Sequence, residues 1–464
     1  MKLAKVYPVF KSGDKHTISN YRPISLLSSF SKIFEKIIAT RLISFLNKNN
    51  VINEAQFGFR KNHSTYMAVM QLVDKVTEAL DNNEHCIGVF IDLSKAFDTL
   101  DHYILLEKLK LYGVRGQVNK LFQSYLTGRE QYVRLDKGQS QKLPIDYGVP
   151  QGSILGPLLF LIYINDITNC SSLLRFILFA DDTSILCSNR NLEKLIKDIN
   201  NELNILSDWF KANKLSLNVI KTNYILFNLK DKLKNKHSSD SNLTDNHQLI
   251  SIEGINITKV KYTKFLGVVI DEKLNFKEHI NYIANKISRS TFVINKLKLK
   301  LPKRILLSLY YTLIYPHIQY CIIAWGNSTK TWLNKIHVLQ KRAIRIIDNS
   351  FYLSHSTPIF KKFNLLKVMD VFKLTCLTFL FKVKTNNLPS NCNNLIQLNN
   401  AANPRYHMRY DEVFKCPSHK KAFREKCIKI FGQKLWEEIP NEIASSGSIM
   451  TFKRNLKQYL LGFY

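Results

Sequence analysis

The run "FILFADDTSILCS", Phe176–Ser188, places two adjacent acids, Asp181 and Asp182, between two apolar, β-favouring segments. Such segments around a short polar break read as a hairpin. A hairpin tip does not need two like charges, so their repulsion has to be offset. The pair is either a solvated turn, which Asp tolerates well, or part of an acidic site that holds a cation. Another apolar run, "CIGVFIDL" (Cys86–Leu93), carries an acid of its own near its end, Asp92. Carboxylates at the ends of buried strands are unfavourable unless paired or metal-bound. That context favours the cation: hard divalent ions take oxygen ligands, and two of them can serve phosphoryl transfer.

The 464-residue chain is too long for one ordinary core and is expected to form two or three packed units. It is 45% hydrophobic and 22% charged, a globular composition. The 67 Lys and Arg against 36 Asp and Glu leave a net charge of +31, which points to a polyanionic partner such as nucleic acid. The excess Lys, with much Asn and Ile, also fits an AT-biased genome. Eight cysteines form no CxxC pair, so a reduced, intracellular setting is expected rather than a disulfide scaffold. Cys416, His419 and Cys427 match no standard zinc module. The apolar run Ile305–Trp325 is long enough to span a bilayer but holds Pro316, His317 and Gln319, so buried helices are expected and no membrane is.

Along the chain, Ala4–Leu27 reads as two β runs around a Gly-Asp turn, and Phe30, Ile33, Phe34, Ile37, Ile38, Leu42 and Leu46 return to one helical face. Helical material is expected from Tyr103 to Leu126, a strand at "QYVRL", a loop at "YGVPQGSILGP", and an amphipathic helix from Leu192 to Phe210. Leu215–Phe227 reads as a strand, Leu229–Gln248 as a polar loop, and Lys259–Asp271 as β structure. Beyond Phe276 the pattern is helical. The fold class is therefore α+β followed by a mostly α part.

The motifs carry a resemblance. "FIDLSKAFDTLDH" (Phe90–His102), "GVPQGSILGPLLFLIYINDI" (Gly148–Ile167), "FADDT" (Phe179–Thr183), "KLSLNVIKTNYILF" (Lys214–Phe227) and "KFLGVVID" (Lys264–Asp271) resemble, in order, the palm motifs of reverse transcriptases of non-LTR, LINE-type, jockey-like retrotransposons. "NYRPISLLSSFSKIFEKII" (Asn20–Ile38) and "NEAQFGFRKNHST" (Asn53–Thr65) resemble the fingers motifs. The resemblance implies a right-hand polymerase: fingers with the start of the palm over 1–85, an antiparallel-sheet palm over 86–275, a helical thumb over 276–345 and a helical C-terminal region over 346–464. It implies an RNA-directed DNA polymerase, a nucleotidyltransferase serving transposition, with two Mg²⁺ (or Mn²⁺) ions. Its partners would be template RNA, primer DNA and deoxynucleoside triphosphates, in cytoplasmic ribonucleoprotein and the nucleus.

Residue by residue, the resemblance makes Asp92, Asp181 and Asp182 the metal-binding acids, and Lys221 a general acid beside the leaving pyrophosphate. Phe97 would close off the sugar 2′ position. Gln151 and Gly152 would line the nascent base pair. Arg22 and Lys11, with Lys15 close by, would contact the triphosphate, and Arg60 the template. Family elements usually carry an endonuclease before this region, and the resemblance begins within a few residues of Met1. Two other readings remain: a catalytically silent, element-derived RNA-binding protein, and an intron-encoded reverse transcriptase with maturase function, whose C-terminal pattern is not evident.

Overall fold

The computed structural model describes residues 2–135, 138–228, 250–389, 396, 414 and 417–464. The two N-terminal β runs form a hairpin. β1 (Leu3–Phe10) and β2 (Tyr21–Leu26) pair antiparallel, with Val9 opposite Arg22. Then come α1 (Ser29–Lys48), α2 (Thr65–Asp81), β3 (His85–Ile91), the short β4 (Leu93–Ser94), α3 (His102–Leu111) and α4 (Gly116–Leu126). Asp101 starts α3 by accepting from the amide of Ile104. β5 (Arg129–Leu135) runs parallel to β1, and β6 (Gly138–Gln139) and β7 (Leu143–Ile145) pair with β5. Residues 129–135 and 138–145, within the 86–275 span read as palm, thus complete the sheet of the N-terminal hairpin.

α5 (Leu155–Ile164) is buried along nearly its whole length. It leads to β8 (Arg175–Phe179), β9 (Asp182–Asn189), α6 (Leu192–Ala212), β10 (Ser216–Leu217) and β11 (Asn223–Phe227). The central sheet has the order Thr258–Lys259, β11, β3, β9, β8, antiparallel except at the Thr258–Lys259 edge. Both faces are covered. Ile87, Val89 and Ile91 of β3 join the cluster of α5 and α6, while Cys86 and Phe90 join that of α2 and the helices beyond residue 276. Two buried faces explain why β3 reads as a continuous apolar run rather than an alternating one. Leu215–Phe227 is not one strand: β10 pairs with β4, β11 pairs with β3, and a turn at 218–222 separates them. The loop expected at Leu229–Gln248 lies outside the described residues.

The helical part begins with α7 (Lys277–Leu297) and α8 (Lys303–Leu313). The apolar run Ile305–Trp325 is divided among α8, α9 (Tyr315–Gln319) and α10 (Ile322–Trp325). Pro316 opens α9, and Cys321, at φ +50°, separates α9 from α10. Among the described residues no helix is long and apolar enough to cross a membrane. α11 (Lys330–Asp348) packs on α7, and α12 (Val368–Lys384) carries the helices Ile428–Glu437 and Ile449–Gly462. The arrangement is that of a right-hand polymerase, with a fingers sheet, a palm sheet and a helical thumb followed by further helices. One apolar cluster runs from α2 and β3 through Trp325 and Ile344 to Phe452. The C-terminal segment is also tied to α2 by polar contacts. The Asp81 carboxylate accepts from the amides of Lys420 and Lys421, and Lys429 pairs with Asp74 at 2.8 Å.

α1 departs from the expected packing. The helix is present, but Phe30, Ile33, Phe34 and Ile37 face solvent, whereas Ser31, Glu35, Ala39, Leu42 and Leu46 are buried. The rotation turns Glu35 inward, where its carboxylate accepts from the amide of Ile154 at 2.6 Å and from the hydroxyl of Tyr125 at 3.2 Å. A buried carboxylate needs such partners, and of the expected stripe only Leu42 and Leu46, with Ile38 partly covered, are buried beside it.

His279, on α7 where palm meets thumb, is buried with its ring 5.6 Å from Trp325. Its Nδ1 accepts from the amide of Val269, which leaves the proton on Nε2, and desolvation lowers its pKa to about 4. The folded protein thus holds His279 neutral where the unfolded chain would protonate it. Stability from this group is present above pH 6.5 and is lost as pH falls toward about 4. His279→Phe is expected to flatten this acid limb in thermal melts across that pH range. An unchanged limb would show that His279 does not report on folding.

Candidate active site

The β8–β9 turn is built to hold an awkward backbone. Ala180 sits at φ +57°, a region that costs a residue with a Cβ on the order of 1 kcal/mol. The segment after α1 secures it. The amide of Phe57 donates to the carbonyl of Leu178 at 2.8 Å, and that of Leu178 to the carbonyl of Ala55 at 2.9 Å. The buried Gln56 side chain accepts from the amides of Ala180 (3.0 Å) and Gly58 (2.8 Å) through one oxygen. A Cβ on Gly58 would lie 2.4 Å from the Ala180 nitrogen, so only glycine allows this approach.

Asp181 and Asp182 follow directly. The register pairing Ile91 with Thr183 brings Asp92 level with Asp182 on the neighbouring strand. Both turn carboxylates open to solvent, yet the protein around them is dense enough to desolvate them in part. Desolvation, then the Asp92 charge, raises Asp181, while Arg22 and Lys11 pull it down. Desolvation, then Asp181 and Asp92, raises Asp182 to about 6. The three acids therefore share one field. Asp92 is fixed from the other side. Asn218 donates its side-chain amide to Asp92 Oδ2 at 3.0 Å and its backbone amide to the Asp92 carbonyl at 2.8 Å. Lys221 Nζ stands 3.9 Å from Asp92 Oδ2.

Among the described residues no group of three His, Cys, Asp or Glu side chains is gathered as a ready-made metal cage. The chemistry of the set nonetheless suits a hard divalent cation. The donors are all carboxylate oxygens, and their mutual repulsion is what such a cation would relieve.

The fingers hairpin carries Lys11 at the end of β1 and Arg22 on β2, and both act on Asp181. The hairpin is fastened to the "PQG" loop: the amide of Ser25 donates to the carbonyl of Gln151 at 2.7 Å. Gly152, at φ +121°, lies where a Cβ would meet the Ser25 carbonyl at 2.6 Å. The other side of Gln151 reaches the palm, where its Nε2 donates to Asp98 Oδ1 at 2.9 Å. Burial raises the Asp98 carboxyl, partly offset by this bond and by Lys95. Phe97 stacks on Phe160 with centroids 4.6 Å apart and meets Phe59 edge-on. Arg60 donates Nη1 to the carbonyls of Asn53 and Gln56, which makes it a brace of the segment that holds Ala180.

Residues 11–270 match the family model described as "Reverse transcriptase (RNA-dependent DNA polymerase)". The chain belongs to the reverse transcriptase family. It is 31% identical to the probable RNA-directed DNA polymerase from transposon BS of Drosophila melanogaster, over 78% of this chain and 40% of that protein. It is 29% identical to the RNA-directed DNA polymerase from mobile element jockey of the same species, over 80% of this chain and 40% of that protein. The chain therefore spans about 40% of the length of these curated relatives. A solved structure of apo telomerase from Candida Tropicalis covers 80% of the chain at 13% identity, with a TM-score of 0.41. Reverse transcriptases generally use divalent metal ions.

Within this family member, the structure brings Asp92, Asp181, Asp182, Lys221, Lys11 and Arg22 into one electrostatic neighbourhood. It joins Gln151 and Gly152 to the fingers and sets Phe97 next to Asp98. Residues not singled out in the sequence are Gln56, Gly58, Asn218, Glu35 and Asp98. Asn218, three positions before Lys221 in a break between short β runs, had a signal in its turn-forming character. Gln56 and Glu35 had none, because the amides that give them their roles, Ala180 and Ile154, lie 124 and 119 residues away.

Gly58→Ala is expected to displace the Ala180 turn and lower primer extension by about 100-fold, since a misplacement near 1 Å has that effect. Circular dichroism and RNA binding should stay near wild type. Full activity in a folded Gly58→Ala protein would remove Gly58 from this role.

Proposed function

We propose that the chain is an RNA-directed DNA polymerase of a non-LTR retrotransposon, joining deoxynucleotides to a primer 3′-hydroxyl against an RNA template. The observation that carries this reading is the convergence of three carboxylates from β3 and the β8–β9 turn beneath the cations of the fingers hairpin. Asp92, Asp181 and Asp182 would hold two divalent ions, Mg²⁺ or Mn²⁺, which when bound stabilise the attacking and leaving oxygens. Arg22 and Lys11 hold the triphosphate, Arg with a fork and Lys as a point charge. The primer hydroxyl forms a bond to the α-phosphorus as the bond to the pyrophosphate oxygen breaks. Lys221 donates a proton to that leaving group. Phe97, whose ring is backed by that of Phe160, would close off the sugar 2′ position. Basic surface holds primer and template through phosphate contacts. The protein would act on its RNA in the cytoplasm and on DNA in the nucleus; the described cysteines, Cys86, Cys170, Cys187, Cys321, Cys376 and Cys427, are free, as a reduced compartment requires.

Asp181→Asn keeps size and removes the anionic ligand. Extension of a DNA primer annealed to RNA should fall to background, with template binding largely kept because it rests on the basic surface. Near-normal extension by this variant would refute the assignment. Phe97→Val should admit ribonucleotides in a competition assay with deoxynucleotides. Loss of the Phe160 contact also costs stability, on the order of 3 kcal/mol, so the assay is read in protein shown to be folded. An unchanged sugar preference there assigns Phe97 to packing alone.

A further inference from the structure

The loop after α11 exposes three large apolar side chains in a row, Phe351, Tyr352 and Leu353, at 68%, 71% and 68%. Exposed apolar runs are avoided unless function needs them. The loop backbone is pinned. Asn349, at φ +59°, closes α11, and the amide of Ser350 donates to the carbonyl of Arg345 at 3.0 Å. The amide of Ser354 donates to the carbonyl of Phe351 at 3.0 Å, and Arg345 Nε to the carbonyl of Ser354 at 2.8 Å. Beyond the loop Ser356 is buried and Phe360 belongs to the core. The three side chains are thus held up to solvent from a fixed backbone. The Phe351 and Tyr352 rings lie 5.0 Å apart at 58°, so they do not stack on one another.

The surroundings of the loop are positive. From His279 to Met369 the chain holds 15 Lys and Arg and one acid, Asp348. That acid is taken up by Lys303 at 3.2 Å, Lys362 at 2.7 Å and the Ser350 hydroxyl. The loop also stands away from the palm. α7 and α11 run side by side in one direction: Lys335 bonds Asn281 near the palm, and Lys303, at the start of α8, reaches Asp348 at the other end. The length of α7 puts the loop roughly 25 Å from the palm end of the pair. A polyanion with flat apolar faces answers both the charge and the rings. A paired base hides its faces in the stack, whereas an unpaired base offers them, and stacking on an aromatic ring accepts any base. We propose that Phe351 and Tyr352 form a stacking platform for unpaired bases of single-stranded RNA, with Leu353 adding apolar contact and the surrounding cations facing the phosphates. The inference deepens the function proposed above, which supplies RNA as the ligand, and adds a binding site remote from the reacting atoms.

The test measures binding of the full chain to a fluorescent oligo(A) RNA and to a blunt-ended RNA–DNA hybrid, by anisotropy over a range of salt. Phe351→Ala and Tyr352→Ala should each weaken binding of the single strand by about tenfold and leave the hybrid near wild type. The slope of affinity against salt should not change, because neither substitution removes a cation. Tyr352→Phe keeps the ring and should bind as wild type does. The replaced side chains are exposed, so thermal melting should stay at the wild-type temperature. Equal losses on single strand and hybrid, or no loss on either, overturn the inference. So does a wild type that floats with phosphatidylserine vesicles when the Phe351→Ala/Tyr352→Ala double variant does not, with both holding the single strand equally: the loop is then a lipid contact. A wild type that binds RNA through this loop but extends no primer would instead overturn the function proposed above and leave the platform standing.

Discussion

Repulsion among Asp92, Asp181 and Asp182 is the constraint to which the rest of the palm answers. Left alone, the turn would relax and separate the charges, because Asp92 raises Asp181, and Asp181 and Asp92 together raise Asp182. The fold withholds that freedom with neutral groups. Gln56 holds the Ala180 amide, Asn218 holds Asp92 by side chain and backbone, and β3 and β9 are paired along their whole length. Neutral donors stiffen the backbone without cancelling the field, so the negative potential survives for a cation to meet. Cations of the protein stand further off, on a hairpin or at 3.9 Å.

A second constraint couples the fingers to the palm through one loop. The "PQG" segment takes a bond from Ser25, gives one to Asp98, and is followed by an amide capped by Glu35. Three elements distant in sequence therefore meet within the four residues from Gln151 to Ile154. Buried Glu35 is the least expected of them. Its carboxylate stands at the start of α5, where free amides and the helix dipole favour negative charge. That one requirement turns α1 over and puts Phe30, Ile33, Phe34 and Ile37 outside.

Much of this could be read from the sequence because it is local. The β8–β9 hairpin, the acid closing β3, the N-terminal hairpin and α6 each follow from residue order within a short window. What could not be read depends on partners far along the chain. The helical pattern of α1 predicts the helix and the burial of Leu42 and Leu46 correctly but not the exposure of Phe30, Ile33, Phe34 and Ile37, since periodicity reports an apolar stripe and not what covers it. The break at 218–222 exists because Asn218 is drawn to Asp92, 126 residues away. Gly58 shows its meaning only once Ala180 lies against it. Arg60 has a charge that suggests a nucleic acid contact, but the carbonyls of Asn53 and Gln56 occupy its Nη1.

The apolar cluster that starts beneath β3 does not stop where the palm motifs stop; it continues to Phe452, with Asp81 and Asp74 fastening the later segment to α2. Under the function proposed above, in which the product copies its own gene, this has a genetic consequence. A frameshift or early stop codon downstream of the last palm motif would leave Asp92, Asp181 and Asp182 encoded, yet strip the covering from the back of the sheet that carries them. Selection on that proposed activity would therefore extend over codons with no part in the chemistry, and an intact "FADDT" would not by itself be the mark of a living copy.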